Sequence, residues 1–173
     1  MIIRPIKNTD FTEVDKLIRN AFTQSEHGYG NESELVDKIR KDKSYIPDLE
    51  LVALENNVII GHGLLSQVKI VNEHQEYIGL VLAPLATLPG YQGQGIGGKL
   101  LTELEDRAKN LGYNYISILG HANYYPRFGY IPASKYQVKA PFDVPDEAFM
   151  IKALTPSGLD GTSGTVQYSK AFE

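Results

Sequence analysis

The sequence predicts an α/β fold with a mixed central sheet, expected as a single domain over residues 1–173, and three observations carry that prediction. Residues 80–88 are almost unbroken apolar sequence, the mark of a strand buried on both faces. A glycine-dense turn and an amphipathic helix follow, with Leu100, Leu101, Leu104, Ala108 and Leu111 at helical spacing. A further apolar strand at residues 113–119 completes a strand–helix–strand unit, whose crossover implies a parallel pair. Upstream, residues 49–55 and 58–71 read as two strands joined by a tight turn at Asn56-Asn57.

The remaining elements fall into place around these. Residues 2–6 alternate weakly and form a first strand. Asn8-Thr9-Asp10 supplies a helix cap, and Val14, Leu17, Ile18 and Ala21-Phe22 make an apolar stripe at helical spacing. Residues 23–34 are polar, rich in glycine and carboxylates, and read as a loop. Leu35, Val36 and Ile39 mark a second short helix that ends among Lys38, Arg40, Lys41 and Lys43. Residues 72–76 make the turn into the central strand, and Gly112 closes the main helix where a left-handed cap is expected. Pro132, Pro141 and Pro145 make residues 132–146 mostly irregular, before a strand at 148–154, a linker at 155–164 and a final edge strand at 165–172.

Composition narrows the function classes. Hydrophobic content of 42% with 22% charged residues is ordinary for a soluble globular protein. A net charge of -4 argues against a nucleic-acid-binding face. The sequence has no cysteine, which removes disulfides, thiolate metal sites and a cysteine nucleophile together and fits a reducing compartment. Residues 1–5 turn polar too quickly for a signal peptide, and no apolar run approaches the roughly 18 residues that span a bilayer. A cytoplasmic protein with neither nucleic-acid nor membrane partners is therefore expected. The four histidines show no metal spacing, so no metal is expected. Neither Ser66 nor Ser117 sits in a nucleophile-elbow context.

The glycine turn is the chemical centre of the sequence. A strand feeding glycines and then a helix presents free N–H groups at the positive end of the helix dipole, an anion site suited to phosphate. Gly93-Gln94-Gly95-Ile96-Gly97-Gly98 satisfies G-x-G-x-x-G, but no acidic residue stands about 20 positions on, within residues 115–120, to hold a ribose. Gly93, Gly98 and Lys99 nearly satisfy the P-loop pattern, but Leu100 stands where a Ser or Thr should hold magnesium.

A third pattern takes in more of the sequence. Gln92-Gly93-Gln94-Gly95-Ile96-Gly97 resembles the Q/R-x-x-G-x-G/A motif of the GNAT superfamily of N-acetyltransferases, and residues 85–91 resemble the strand that leads into it. Tyr124-Tyr125-Pro126-Arg127-Phe128-Gly129-Tyr130 resembles the second signature of that family, a tyrosine on a short helix followed by a Gly-aromatic pair. Across the whole chain the likeness is greatest to a bacterial, YhbS-like branch of these acetyltransferases. The resemblance implies a GNAT fold, with two N-terminal helices and a β-α-β core that binds acetyl-coenzyme A as co-substrate. It implies that the loop amides of Gln92, Gly93, Gln94, Gly95, Ile96, Gly97 and Gly98 hold pyrophosphate. The Leu85 N–H would point at the thioester carbonyl, Ala86 and Thr87 would contact pantetheine, and Tyr125 would serve the departing thiolate. Ile118 stands where many members carry an asparagine that contacts the coenzyme, and Asn123 is displaced from that position.

Pro84 deletes one ladder hydrogen bond from an otherwise apolar strand, so a bulge or an edge is expected there. The bulge would splay this strand from residues 113–119 and free backbone groups for pantetheine, whereas the alternative is a plain edge strand. For Tyr125 the alternative is packing beside Phe128, and packing is the expectation for Tyr124. An alkylammonium acceptor needs a general base, for which Glu26, His27, Glu32, Glu34, His62, Glu76 and His121 are candidates. For His62 a hydrogen-bonded structural histidine is preferred, and for most of the loop glutamates surface solvation. The function expected is direct acetyl transfer to a primary amine in a ternary complex. The alternatives are a non-catalytic acyl-coenzyme A sensor, another acyl group, or a hydroxyl acceptor. Whether the acceptor is a small amine, a peptide N-terminus or a lysine stays open, as does dimerisation.

Overall fold

A computed structural model describes residues 1–25 and 27–173. The strands are β1 (Ile2–Pro5), β2 (Glu50–Glu55), β3 (Val58–Val71), β4 (Glu76–Thr87), β5 (Tyr115–Leu119), β6 (Ile131–Pro132), β7 (Val138–Lys139), β8 (Phe149–Ala153) and β9 (Gly164–Gln167). The α-helices are α1 (Phe11–Thr23), α2 (Glu32–Arg40) and α3 (Ile96–Asn110). They build a mixed sheet in the order β1-β2-β3-β4-β5-β8-β6, with β9 against the far end of β3 and β7 against β9.

The hairpin follows the sequence closely, because Asn56 and Asn57 adopt the left-handed conformation that a two-residue turn requires, with φ of 50 and 65°. The crossover through α3 makes β4 and β5 parallel, as expected. Their registered pairing is short: Leu80 faces Ile116 and Val81 faces Ser117. On the other side of β4 the ladder with β3 shifts register, with Gly63 opposite Leu85 but Leu65 opposite Leu82. The extra residue lies at Ala83 and Pro84, so the expected bulge is present and β4 leaves β5 just before it.

Helices cover both faces. Leu100, Leu101, Leu104 and Ala108 of α3 pack with Leu51, Leu65, Leu80, Leu82, Ile116 and Ile118. Val14, Leu17, Ile18 and Ala21 of α1 join Val36 and Ile39 of α2 over Val52, Leu64 and Ala86 on the opposite face. A third cluster gathers Val68, Ile70, Val81, Tyr115, Phe149, Ile151 and Val166 beneath the C-terminal segments.

Several expectations need correction. Asn8–Asp10 is a single 3-10 turn, and the Asp10 carboxylate does not cap α1 but accepts from the Lys7 N–H at 2.8 Å and from Arg4 at 2.7 and 3.1 Å. Burial beside a guanidinium makes that ion pair the better partner. The loop expected through residue 34 ends earlier, because α2 starts at Glu32. The central strand begins at Glu76 rather than residue 80, since β3 pairs with it along its full length. Residues 132–146 hold parts of two strands too short to show alternation. The last strand stops at Gln167, and it is no edge, because β3 and β7 flank it.

Candidate active site

The parting of β4 and β5 leaves the β5-facing edge of β4 unpaired beyond Val81. Leu88 donates its N–H to Ile60 on β3 at 2.8 Å, so alternation turns the Ala86 N–H to β3 as well. The N–H groups of Leu85 and Thr87 then face the open edge. The side chains of Leu85 and Thr87 line a cleft of about 1380 Å³ on the α3 side of the sheet. That of Ala86 is buried on the other face, against the α1–α2 layer.

At one wall the cleft meets the start of α3. Gly93 and Gly95 take φ of 77 and 80°, a conformation that favours glycine, and Gly95 is the N-cap. Lys99 donates to the Gly95 carbonyl at 3.1 Å, so the N–H groups of Ile96, Gly97 and Gly98 precede the first intrahelical bond and remain free for a ligand. Gln92, Gly93, Gly95, Ile96, Gly97 and Gly98 line the cleft; Gln94 is exposed beside it.

The opposite wall is the single turn Tyr125–Phe128. Its aromatic residues fit because the facing positions are glycines. A Cβ on Gly97 would lie 2.8 Å from the Tyr124 hydroxyl, one on Gly98 2.9 Å from the Phe128 ring, and one on Gly120 2.6 Å from the Tyr125 ring. Tyr125 packs edge-on against Tyr124 and Tyr130, with centroids 5.0 and 6.0 Å apart. The turn is fastened from behind: Lys152 donates to the Phe128 carbonyl at 2.7 Å and to Glu105 of α3 at 3.1 Å, and Glu105 also accepts from the Tyr130 hydroxyl at 2.7 Å. Burial, with a contribution from Tyr124, pushes the Tyr125 hydroxyl above the usual phenol range, so it stays protonated.

Of the expected bases, His121 alone lines this cleft among the described residues, and Glu26 lies outside them. Glu34 is taken up by Arg19 at 2.7 Å and by the Tyr29 hydroxyl, Glu32 accepts from the Gly30 N–H at 2.8 Å, and Glu76 pairs with Lys69 at 3.1 Å. His27 is exposed on the loop between α1 and α2. His62 is wholly buried, with Nε2 at 2.7 Å from Glu50, which also accepts from Arg40 and Tyr45. That is the structural histidine the sequence favours. Ile118 is buried in the core, and Asn123 is exposed and not among the cleft residues. Tyr91, Thr102, Glu103 and Arg127, to which the sequence assigns no role, also line the cleft, as does Lys99, which the sequence places only in the incomplete P-loop pattern. For Arg127 the signal was available, since it sits inside the second signature. Among the described residues no group of three His, Cys, Asp or Glu side chains could hold a metal ion, and no helix is long and apolar enough to cross a membrane.

Comparison with known proteins gives the same picture. The acetyltransferase (GNAT) family model matches residues 12–130. The uncharacterized N-acetyltransferase YjhQ of Escherichia coli K12 is 33% identical over 159 residues, covering 88% of this chain and 85% of that protein. The uncharacterized N-acetyltransferase YhbS of the same strain is 30% identical over 173 residues, covering 99% and 98%. The crystal structure of Escherichia coli YhbS in complex with CoA superposes with a TM-score of 0.88 at 29% identity, over 99% of this chain and 91% of that one. A GNAT family acetyltransferase from Brucella melitensis in complex with acetyl-CoA gives a TM-score of 0.78 at 30% identity, over 99% and 97%. With a glycine turn opening α3, a β4 parted from β5 and a tyrosine turn facing both, the chain belongs to the GNAT family of acetyltransferases.

Proposed function

We propose that residues 1–173 act as one domain that transfers the acetyl group of acetyl-coenzyme A directly to a primary amine, with both substrates bound together and no covalent enzyme intermediate. The observation that carries this is the convergence on one cleft of an unpaired strand edge, a free helix N-terminus and a half-buried, protonated tyrosine. Acetyl-coenzyme A supplies the activated thioester. The cleft suits it chemically: amides at the start of α3 for pyrophosphate, and peptide groups along β4 for the amide-rich pantetheine arm.

The chain's own residues then divide the work. The N–H groups of Ile96, Gly97 and Gly98 hold the phosphates at the positive end of the helix. The Leu85 N–H donates to the carbonyl oxygen as negative charge develops on it, which can be worth about 3 kcal/mol. The amine nitrogen bonds to the carbonyl carbon, the carbon–sulfur bond breaks, Tyr125 gives its proton to the departing sulfur, and the second proton that the nitrogen sheds as the amide forms returns the phenol to its neutral state. His121, as the candidate base that lines the cleft, takes the proton that the ammonium form must lose. The acceptor class is a primary amine, on a small molecule or a peptide, and the cytoplasm, where acetyl-coenzyme A is made and used, is the place for the reaction.

Calorimetry with acetyl-coenzyme A, beside a thiol-release assay over a panel of primary amines, tests this. Binding that is lost in Gly95→Trp, with thiol release for at least one amine, is the expected result. Failure of the wild type to bind would overturn it, and binding without release for any amine would favour a sensor.

A further inference from the structure

The cleft carries more positive charge than the glycine turn accounts for. Besides the free amides it is lined by two cationic side chains, Lys99 and Arg127. Neither makes an ion pair with a described residue, although both are exposed on a chain with a net charge of -4. The acidic residue on the same lining, Glu103, is occupied by Arg107 at 3.0 Å. Two cations are thus left free over a site that already has a helix N-terminus.

Their placement is defined. Lys99 follows Gly98 in the first turn of α3, on the solvent side of the amide turn. Arg127 approaches from the facing turn, its guanidinium carbon 4.8 Å from the centre of the Tyr124 ring, within cation–π range. The Tyr124 hydroxyl in turn abuts Gly97, so this contact sets Arg127 beside the helix start. A guanidinium held there makes no ion pair with a described residue, and its planar fork of N–H donors is the geometry that matches phosphate oxygens.

Coenzyme A has two phosphate centres of different character. The pyrophosphate is a diester that neutral amides and a helix dipole satisfy. The 3′-phosphate of the ribose is a monoester with close to two negative charges, for which amides alone are a poor match and cations a good one. Resting on the acetyl-coenzyme A reading above, we infer that Arg127, assisted by Lys99, holds the 3′-phosphate and makes the cleft selective for complete coenzyme A thioesters. Donors that lack this group, whether dephospho-coenzyme A thioesters or phosphopantetheine thioesters on a carrier protein, would be bound weakly.

Calorimetry with acetyl-coenzyme A and acetyl-dephospho-coenzyme A, on the wild type, Arg127→Gln and Lys99→Gln, separates the contributions. The wild type is expected to prefer the complete thioester by about 10- to 100-fold, the range for losing charge-assisted hydrogen bonds. Arg127→Gln should lose most of that preference and Lys99→Gln part of it, while both keep the wild-type affinity for the dephospho form, which also shows that they are folded. Equal affinity of the wild type for the two ligands would overturn the inference and leave the proposed function standing. Weakening of both ligands alike in Arg127→Gln would also overturn it, by assigning that residue to the pyrophosphate. No binding of either ligand would overturn this inference and the proposed function together.

Discussion

Tyr125 combines burial with access. Its ring is packed against Gly120, Tyr124 and Tyr130, yet it lines the cleft, and its hydroxyl makes no hydrogen bond with a described residue. A proton donor without a protein partner is free to serve a leaving group. Tyr125→Phe keeps the ring packing and removes the proton, so turnover should fall by about 100-fold, at the lower end for loss of a general acid, with acetyl-coenzyme A affinity little changed. Steady-state kinetics beside calorimetry checks the split, and equal losses in both would make Tyr125 a binding residue instead. Because burial raises its pKa, the wild type should show no loss of rate from this group between about pH 7 and 9. Glu50 presents the opposite case, a buried ionised group that does not line the cleft. Burial alone would raise its pKa, but hydrogen bonds from His62 and Arg40 outweigh that and hold it down at about 2. A depressed carboxyl pKa stabilises the fold above its unfolded value of about 4.3, and the stabilisation is lost as pH falls toward about 2. Glu50→Gln should therefore cost about 3 kcal/mol at pH 7 and flatten the acid limb of stability, as urea titrations at several pH values would show. Neither residue could be fully read from sequence. Tyr125 was visible through its signature, whereas the partners of Glu50 come from α2, β3 and the segment between α2 and β2, and no local pattern brings them together.

At the scale of elements, the site is made by two departures from regular structure. The bulge at Pro84 interrupts the β3–β4 ladder where β4 leaves β5, and the glycines of α3 admit aromatic rings from the turn that follows β5. Gly98 shows why the second is needed. In an isolated helix, Ala in place of Gly gains about 1 kcal/mol, but here the added Cβ would sit 2.9 Å from the Phe128 ring. Gly98→Ala should thus be destabilising by about 1 kcal/mol, and the loss should shrink or reverse when Phe128 is also replaced by Leu. Urea unfolding of the two single variants and the double variant measures this coupling, and simple additivity would mean that the contact does not matter. Much of this layer was legible. Pro84 in an apolar strand announced the bulge, and the switch from apolar run to helical period placed α3. What escaped was whatever carries no period of its own: β6 and β7 have two residues each, and the insertion of β9 between β3 and β7 depends on long-range pairing.

Across the whole molecule, the sheet has a seam. β1 to β4, with α1 and α2, join β5, β8 and β6 through only two registered residue pairs, the rest of the joint being side-chain packing by α3 and by the cluster around Val81 and Tyr115. A ligand that lies along β4, caps α3 and touches the Tyr125–Phe128 turn contacts both halves at once, so binding should be read out as global stabilisation. At 100 times its Kd a ligand specific to the native state adds about 2.7 kcal/mol, which for a chain of this size raises the melting temperature by about 5–10 °C. Acetyl-coenzyme A should produce that rise, increasing with the logarithm of its concentration, and should slow amide exchange at Leu85, Thr87 and Ile96 to Gly98. Gly95→Trp should melt a few degrees below the wild type without ligand, because the backbone conformation at that position favours glycine, and show no rise with ligand. A full rise in that variant would place the ligand away from the glycine turn, and a rise without protection of the β4 amides would mean that the open strand edge is not where the pantetheine arm lies.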